Sequence, residues 1–226
     1  MLESIKLIGT SHISKDSITK INTFVKEYEP DIIAVELDRR RYFALMQSQD
    51  SKSSISDVFK VGLSGFLFLL IGRYVQKKLG ASIGMQPGAD MKYAIDICKQ
   101  SNLILGLVDR DIEITLKRFS KKFSFKEKLR LTKDLLFAPF SKKKFGFDIS
   151  KIPKNELIIK ILKEVKKSYP NIYSVLIDER NKFMAKKLFK MQRDHKDKKI
   201  LCIVGAGHVE GMEKELKKLY YSNISF

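Results

Sequence analysis

The sequence predicts an α/β fold with a mainly parallel central sheet flanked by helices. Four apolar runs rich in β-branched residues are predicted as strands. They are nearly continuous in hydrophobicity rather than alternating, which is typical of a sheet covered on both faces. These runs are Ile5–Ile8, Asp31–Leu37, Leu103–Val108 and Ile200–Val204. Helical patterns separate the first three runs, and that alternation favours parallel pairing.

The spacing of apolar residues predicts the helices. Residues 16–28 carry an apolar stripe at helical spacing that stops before Pro30, and residues 90–100 carry another after the turn "QPG". A long helical hairpin follows, with one arm at residues 155–167 and the other at residues 172–193, separated by "SYP".

Two segments are predicted as helical insertions into a single domain that spans residues 1–226. The first, residues 47–89, contains the uncharged stretch 61–72, which is shorter than the roughly 20 apolar residues of a membrane span. That stretch fits either a buried helix or a helix lying against a membrane. The second, residues 117–154, holds thirteen Lys or Arg, three acids and seven Phe. It fits either a solvated basic face anchored by Phe or a contact with a membrane surface or polyanion.

Composition restricts the partners and the compartment. The formal net charge of +18 favours acidic partners, such as anionic lipid or acidic substrates, among which nucleic acid is the least expected. Cys98 and Cys202 lie in apolar segments without CxxC or CxxH spacing, which predicts buried free thiols in a reducing compartment. With no secretory signal and no full membrane span in the sequence, we expect a cytoplasmic or membrane-associated protein. The sequence is also compatible with a homo-oligomer.

Polar residues follow every predicted strand. The four runs continue into "GTSH", "VELDRRRY", "LVDRDI" and "GAGH". Because the carboxyl ends of parallel strands meet at one edge, where open α/β sheets bind ligands, residues far apart in sequence are expected to converge there. The candidates are His12, Glu36, Asp38, Asp109, Arg110, Asp111 and His208.

Two of the three histidines occupy matching GxxH positions. Gly9 and Gly205 are expected to let the backbone turn sharply out of the sheet, and Gly207 to add freedom before His208. A phosphate-binding loop is a weak alternative, because "GAGHVEGM" has Glu210 where GxGxxG needs its third glycine. A nucleophilic triad is also poorly supported, because the sequence has no GxSxG elbow.

A metal site fits these residue types better. Two imidazoles and one carboxylate form a common open site for Zn, Mn, Fe or Co, and His12, Glu36 and His208 supply that set. A divalent ion held there would lower the pKa of a bound water and polarise a carbonyl. The HExxH spacing of helix-borne zinc sites is absent, so this site must be assembled from separate strands.

The helix "LIDERNKFMAKKL" contains a second polar cluster, residues 178–181. Consecutive helical residues face different directions, so at most two or three of them reach one site. The cluster fits either a solvated turn or an arrangement with Glu179 or Arg180 over the strand ends. A planar guanidinium is suited to binding a carboxylate or an oxyanion.

Six segments spanning essentially the whole chain carry a family resemblance: "GTSHISKDS", "EPDIIAVELDRRRYFAL", "QPGADMKYAI", "GLVDRDIEITLKR", "LIDERNKFMAKKL" and "VGAGHVEGM". In this order they resemble the TraB/PrgY family, the pheromone shutdown proteins. The wider Tiki and EreA/ChaN-like group has paired GxxH motifs and a strand-end Glu that match His12, Glu36 and His208. The resemblance implies an EreA/ChaN-like α/β fold and a metal-dependent peptidase activity like that of the Tiki members, which favour Mn or Co.

This chain differs from many family members at its C-terminal end, and the members of the wider group differ among themselves in whether they use a metal. Family members often continue into membrane helices, whereas this sequence stops at "YYSNISF". The EreA relatives are esterases in which a histidine acts as a base without an obvious metal. The GxxH pair therefore leaves the metal question open.

The predicted function is a metal-dependent hydrolase, foremost a peptidase acting on small or membrane-proximal peptides. His12 and His208 would bind the ion, with Glu36 as third ligand or general base. Arg41 and Arg110 would orient a substrate carboxylate or carbonyl. Asp109, Glu179 and Arg180 are further candidates for catalysis. The alternatives are a protein that sequesters a peptide without cutting it, a metal-independent esterase-like hydrolase, and a membrane-docking protein.

Overall fold

The computed structural model describes residues 2–10, 15–47, 88–137 and 154–224. His12 and the apolar stretch 61–72 therefore lie outside the described residues. The chain divides into two compact units. The first consists of Met1–Gln47, Ile83–Ile112 and Ile177–Phe226, and the second of Ser48–Ser82 and Glu113–Leu176. The prediction of a single domain with two insertions stays a prediction.

The first unit contains a four-stranded sheet in which every pairing is parallel, in the order β1-β4-β2-β3. The strands are β1 Ile5–Thr10, β2 Ile32–Val35, β3 Ile104–Leu107 and β4 Ile200–Gly205. Each lies on one of the four predicted apolar runs, so the predicted α/β class and parallel sheet are confirmed. Strand β4, the last along the chain, lies between the first two and bonds to both.

Three described helices match their predicted ranges to within one residue at each end: Lys15–Tyr28, Ala89–Gln100 and Lys154–Ser168. The helices outside the second half of the hairpin are α1 Lys15–Tyr28, α2 Arg39–Gln47, α3 Ala89–Gln100, α4 Ile112–Lys122, α5 Phe125–Phe137 and α6 Lys154–Ser168. The helix after the last strand, α9, spans Val209–Ile224, and a 3₁₀ turn at Leu2–Ser4 precedes the first strand. Within the described residues, no helix is both long and apolar enough to cross a membrane.

The second arm of the predicted hairpin is not one continuous α-helix. It begins as a short α-helix, α7 Pro170–Tyr173, continues through a π-helical segment, Ser174–Asp178, and becomes α8, Glu179–Asp194. Pro170 is accepted at the helix start because its missing N–H has no intrahelical acceptor there. The π-helical segment ends immediately before Glu179. Single-turn π-segments inside helices frequently occur at functional sites.

Helices cover both faces of the sheet. Alternate residues of each central strand point to opposite faces, so Ile32 and Ala34 of β2 pack with α8 and α9, whereas Ile33 and Val35 pack with α1 and α3. All four residues are fully buried. The absence of polar residues from β2 and most of β4 is therefore explained by burial on both sides.

The described part of the second unit has its own small core. Phe119 of α4 and Phe123, which follows that helix, pack with Tyr169, Ile172 and other buried residues farther along the chain. Helix α5 begins with a capping box, in which Ser124 and Glu127 exchange hydrogen bonds. Two of the predicted Phe anchors are thus buried. The exposed Phe125, by contrast, contributes nothing to this core.

The structure corrects the explanation for the first GxxH glycine. Gly88 is the only described glycine with a positive φ, so Gly9 supplies no unusual backbone conformation. Its role is steric: a Cβ on Gly9 would lie 2.9 Å from Cα of Ala206 and 2.9 Å from Cγ2 of Val209. The N–H of Ala206 also donates to the carbonyl of Thr10 at 2.8 Å. Gly9 and Thr10 therefore pack backbone to backbone against the start of the second GxxH segment.

We expect Gly9→Ala to lower the free energy of unfolding by about 1–3 kcal/mol, because the added methyl must displace backbone atoms of Ala206. Urea unfolding of the variant measures this loss. Lys6→Thr, an exposed change on the same strand, serves as the control and should cost much less. Equal stability of the wild type and Gly9→Ala would contradict the steric explanation.

Both cysteines are buried free thiols. Burial raises the pKa of the Cys98 thiol from 9.0 to about 11. Burial and the negative charge of Glu36 raise the pKa of the Cys202 thiol further. Since the folded protein holds its thiols protonated where the unfolded chain ionises, their stabilising contribution is complete below pH 9 and declines as pH rises through 11.

We therefore expect the free energy of unfolding to fall above pH 9, by about 1.4 kcal/mol per pH unit for each thiol. Denaturant unfolding of the wild type and of Cys98→Ala is measured between pH 8 and 10.5. The difference between the two proteins isolates the contribution of Cys98 to the pH dependence from the contributions of lysines and tyrosines. The variant should decline less steeply with pH. Identical slopes for the two proteins would contradict the raised pKa of Cys98.

Candidate functional site

Charged side chains gather at the carboxyl edge of the sheet in the first unit. Glu36 and Asp38 follow β2, and Asp109 and Arg110 follow β3. His208 follows β4 after a short turn. Its carbonyl accepts the N–H of Met212 at 2.9 Å, so His208 is the N-cap residue of α9. The first turn of α8 adds Glu179, Arg180 and Asn181 to this edge. The ends of three strands and the starts of two helices thus supply one cluster.

Arg180 lies at the centre of the cluster. Its guanidinium binds Asp109 through two bonds, Nε to Oδ1 at 3.1 Å and Nη2 to Oδ2 at 2.6 Å. Nη2 also donates to Oε1 of Glu36, and Nη1 lies 3.2 Å from Nε2 of His208. Burial alone would lower the pKa of Arg180, but the charges of Glu36 and Asp109 raise it above the ordinary value. The guanidinium is therefore charged at every physiological pH.

Arg41 extends the network toward solvent. Asp38 caps α2, since its Oδ1 accepts the N–H groups of Arg40 and Arg41 at 2.9 and 3.0 Å. Its Oδ2 accepts Nε of Arg41 at 2.7 Å. Arg41 also donates to Asp109 and to the carbonyl of Glu36. With 34% of its side chain exposed, Arg41 is held by carboxylates on one side and open to a ligand on the other.

Arg110 and Glu179 form a neighbouring ion pair, with Nη1 and Oε2 3.0 Å apart. Only 7% of the Arg110 side chain and 14% of the Glu179 side chain are exposed. The N–H of Arg110 donates to Oδ1 of Asp109 at 2.7 Å. Asp109 therefore connects this pair to the Arg180 network.

Glu36 and His208 form a buried acid–imidazole pair within the cluster. Oε1 of Glu36 lies 3.3 Å from Nε2 of His208, and Oε2 accepts the N–H of Gly205 at 2.7 Å. The other ring nitrogen, Nδ1 of His208, lies 2.6 Å from Oδ1 of Asn181. Each polar atom of the pair thus has a defined partner, so the geometry of the pair is fixed by its surroundings.

A separate buried pair lies at the end of β1. The hydroxyl of Thr10 donates to Oδ2 of Asp90 at 2.5 Å, and both residues are about 1% exposed. Asp90 lies in the first turn of α3, which Gly88 precedes with a φ of 89°. The pair links Thr10, the second residue of the first GxxH motif, to α3.

The structure brings together Glu36, Arg41, Asp109, Arg180 and His208, with Arg110 and Glu179 as an attached pair. Their catalytic roles stay predictions. Asp111 lies away from the centre, 3.6 Å from Nε of Arg40. Sequence reasoning did not select Asn181 as a site residue. A signal was available in the chain of polar residues at 178–181, of which three contact the cluster.

The predicted ligand set of His12, Glu36 and His208 is described only in part, because His12 lies outside the described residues. No group of three or more His, Cys, Asp or Glu in the described ranges is arranged to hold an ion. Arg180 also contacts the two acceptors an ion would need, Oε1 of Glu36 and Nε2 of His208. The described donors thus do not fit a divalent ion in this arrangement, and an ion could enter only if the guanidinium withdrew.

Comparisons with known proteins cover nearly the whole chain. The sequence model of the TraB/PrgY/gumN family matches residues 2–224. An uncharacterised protein of Methanocaldococcus jannaschii is 42% identical over 223 residues, covering 97% of this chain and 55% of that protein. TraB domain-containing proteins of mouse and human are each 26% identical over 242 residues, covering 92% of this chain and 61% of theirs. This chain thus spans little more than half the length of these relatives.

A solved structure of a mutant erythromycin esterase in its open conformation aligns with 89% of this chain and 60% of that protein. The TM-score is 0.36 and the sequence identity 12%.

Proposed function

Because the chain belongs to the TraB/PrgY/gumN family, we propose that it is a hydrolase that uses the cluster at the carboxyl edge of its sheet to cleave a carbonyl substrate. The substrate is foremost a small peptide, with a simple ester as the alternative. The observation that carries the proposal is the buried pair of Glu36 and His208, which a guanidinium contacts on both members.

The chemistry assigned to the pair is general acid–base catalysis. Nε2 of His208 takes a proton from water, whose oxygen bonds to the substrate carbonyl carbon, and Glu36 stabilises the imidazolium across 3.3 Å. The proton then passes to the leaving amine or alcohol as its bond to that carbon breaks. For Nε2 to receive that proton, its contact with Nη1 of Arg180 must be replaced by a contact with the attacking water.

The arginines supply binding and charge stabilisation. Arg180 is charged and buried next to the pair, where its interaction with a developing oxyanion is not screened by bulk water. Arg41 is the most exposed of the three arginines, at 34% against 15% for Arg180 and 7% for Arg110. We assign it to hold a carboxylate of the substrate through its planar fork.

The test is product formation. Wild-type protein is incubated with a panel of short peptides and simple esters, with and without Mn, Co or Zn, and products are measured by mass spectrometry. His208→Ala should abolish the products, while Lys186→Ala, an exposed change on α8, should not. Peptides that bind in calorimetry but yield no fragments would favour sequestration over hydrolysis.

A divalent ion, with Mn or Co favoured and Zn as the alternative, is the cofactor predicted from the sequence, and we propose a separate test of it. Mn, Co and Zn are titrated into metal-stripped wild type, His12→Ala, His208→Ala and Arg180→Ala. One tight site lost in both histidine variants would support the predicted ligand set of His12, Glu36 and His208. Since Arg180 contacts the same two acceptors as the ion, Arg180→Ala should then bind the ion more tightly. Binding unaffected by either histidine change would argue for metal-free hydrolysis.

A second proposal concerns the second unit, which we infer docks on an anionic lipid bilayer. Phe125 and Leu129, one turn apart on α5, are 79% and 49% exposed. Lys126 and Lys133 lie on the same side of this helix at helical spacing. Described residues 113–137 and 154–176 hold thirteen Lys or Arg and five Asp or Glu. Exposed apolar side chains between lysines are typical of helices that bind at the surface of anionic membranes.

Liposome sedimentation tests the docking proposal. Binding should occur with anionic vesicles at low salt, weaken at high salt, and be absent with neutral vesicles. Replacing Phe125 and Leu129 with Ser should weaken it without changing the charge. The matched control replaces exposed Phe183 and Tyr221 of the first unit with Ser. Sedimentation that is equal for the two double variants would overturn the assignment to α5.

A further inference from the structure

His208 has two ring nitrogens in different surroundings. Nδ1 lies 2.6 Å from Oδ1 of Asn181, while Nε2 lies 3.2 Å from Nη1 of Arg180 and 3.3 Å from Oε1 of Glu36. His208 and Asn181 are 4% and 3% exposed. Water therefore cannot readily replace either partner.

These contacts select one form of the neutral ring. An amide oxygen only accepts a hydrogen bond, so Nδ1 must donate its N–H to Asn181. A neutral imidazole carries a single ring proton, which leaves the lone pair on Nε2. The guanidinium of Arg180 can only donate, and it is directed at that lone pair. Oε1 of Glu36, 3.3 Å from Nε2, would favour a proton on Nε2 but makes no hydrogen bond to that nitrogen. The two hydrogen-bonding neighbours, Asn181 and Arg180, both favour the tautomer with its proton on Nδ1.

Gly211 makes the space for Asn181. It lies in the first turn of α9, and a Cβ added there would lie 2.0 Å from Nδ2 and 2.9 Å from Cγ of Asn181. The Asn181 side chain is buried, and its Oδ1 is held by the contact with Nδ1 of His208. Any residue other than glycine at 211 would push the amide away from Nδ1 of His208. Glycine is unfavourable in a helix, and this packing explains its presence.

We propose that Asn181 and Gly211 are positioning residues that fix His208 in the Nδ1–H tautomer, so that Nε2 is the nitrogen that takes part in the reaction. The catalytic role of Nε2 rests on the proposed hydrolysis. The tautomer is inferred from the contacts of the ring and does not depend on that function. Orienting hydrogen bonds of this kind commonly act on a functional histidine through its second ring nitrogen.

The first test is the protonation pattern of the ring, measured by long-range ¹H–¹⁵N NMR on labelled protein at a pH where the ring is neutral. The chain has three histidines, so His208→Ala assigns the signal. The wild type should show a proton on Nδ1. Asn181→Ala should shift the ring toward the Nε2–H form that free histidine prefers. Asn181→Asp, which keeps an acceptor oxygen, should retain the proton on Nδ1.

The second test separates positioning from general damage. Gly211→Ala alone should alter the tautomer as Asn181→Ala does. In the Asn181→Ala background the same Gly211→Ala change should have no further effect, because the clashing amide is gone. Glu210→Ala, an exposed neighbour on α9, should leave the tautomer unchanged. If Asn181→Ala fails to fold, Gly211→Ala still reads out the same contact.

Activity supplies the third readout. Asn181→Ala and Gly211→Ala should each lower kcat by about 10- to 100-fold with little change in KM, and Asn181→Asp should recover part of the loss. An Nε2–H tautomer in the wild type, or an Nδ1–H tautomer unaffected by either change, overturns the inference. A shifted tautomer in a protein that hydrolyses nothing would instead refute the proposed function and leave the positioning intact.

Discussion

Arg180→Ala is expected to reduce hydrolysis by about 100-fold or more and to lower the free energy of unfolding by about 3–5 kcal/mol. Removing the guanidinium leaves the carboxylates of Glu36 and Asp109 buried without their central cation. Losing one partner of a buried ion pair costs far more than the net value of the pair, since the remaining charge keeps its desolvation penalty.

Arg180→Lys refines this expectation. An ammonium restores the positive charge but cannot form the two parallel bonds that link Arg180 to Asp109. We expect it to recover much of the stability and little of the activity. Lys186→Ala on the same helix is the exposed control. Urea unfolding and the product assay together would contradict the central role of Arg180 if Arg180→Ala matched this control in both.

Glu36→Gln is expected to reduce hydrolysis by about 100- to 10,000-fold, the range typical of losing a general acid–base partner. The amide cannot stabilise an imidazolium at His208 as a carboxylate does. Its NH₂ group must also face a donor, either the N–H of Gly205 or the guanidinium of Arg180. An unsatisfied buried donor costs about 1–3 kcal/mol, so stability falls as well.

The matched control for Glu36→Gln is Glu27→Gln, which makes the same change of charge at an exposed position of α1. Steady-state kinetics and denaturant unfolding are compared for the two variants. Substantial hydrolysis by Glu36→Gln, with the control unchanged, would remove Glu36 from the mechanism and leave His208 with Arg180 as the working pair.

The sheet was predictable because strands buried on both faces require continuous runs of apolar residues, which are visible in the sequence. Ile32–Val35 and Ile200–Gly205 are fully buried, and only apolar or small residues satisfy that environment. The polar residues that follow these strands mark the edge where the chain leaves the core. Convergence of the residues after β2, β3 and β4 then follows from parallel pairing alone.

The partners within the cluster were not predictable in the same way. Asn181 was not among the predicted site residues, yet its Oδ1 lies 2.6 Å from Nδ1 of His208. Gly9 was predicted to provide backbone freedom, but the position requires glycine because the backbone of Ala206 lies too close for a Cβ. Both errors concern contacts between residues more than 25 positions apart. Local periodicity carries no information about such contacts.

The strand order has a consequence for how the chain acquires its structure. Neither β1 nor β2 pairs with the other; both bond to β4, which begins at residue 200. During synthesis β2 can pair with β3 once residue 107 is made, whereas in the described sheet β1 has no partner until β4 emerges. Pairing over such separations is slow, because a long loop must close before any bond forms. Until β4 arrives, β1 and the β4-facing edge of β2 have no strand partner in the described sheet, and unpaired edges of this kind are prone to aggregation.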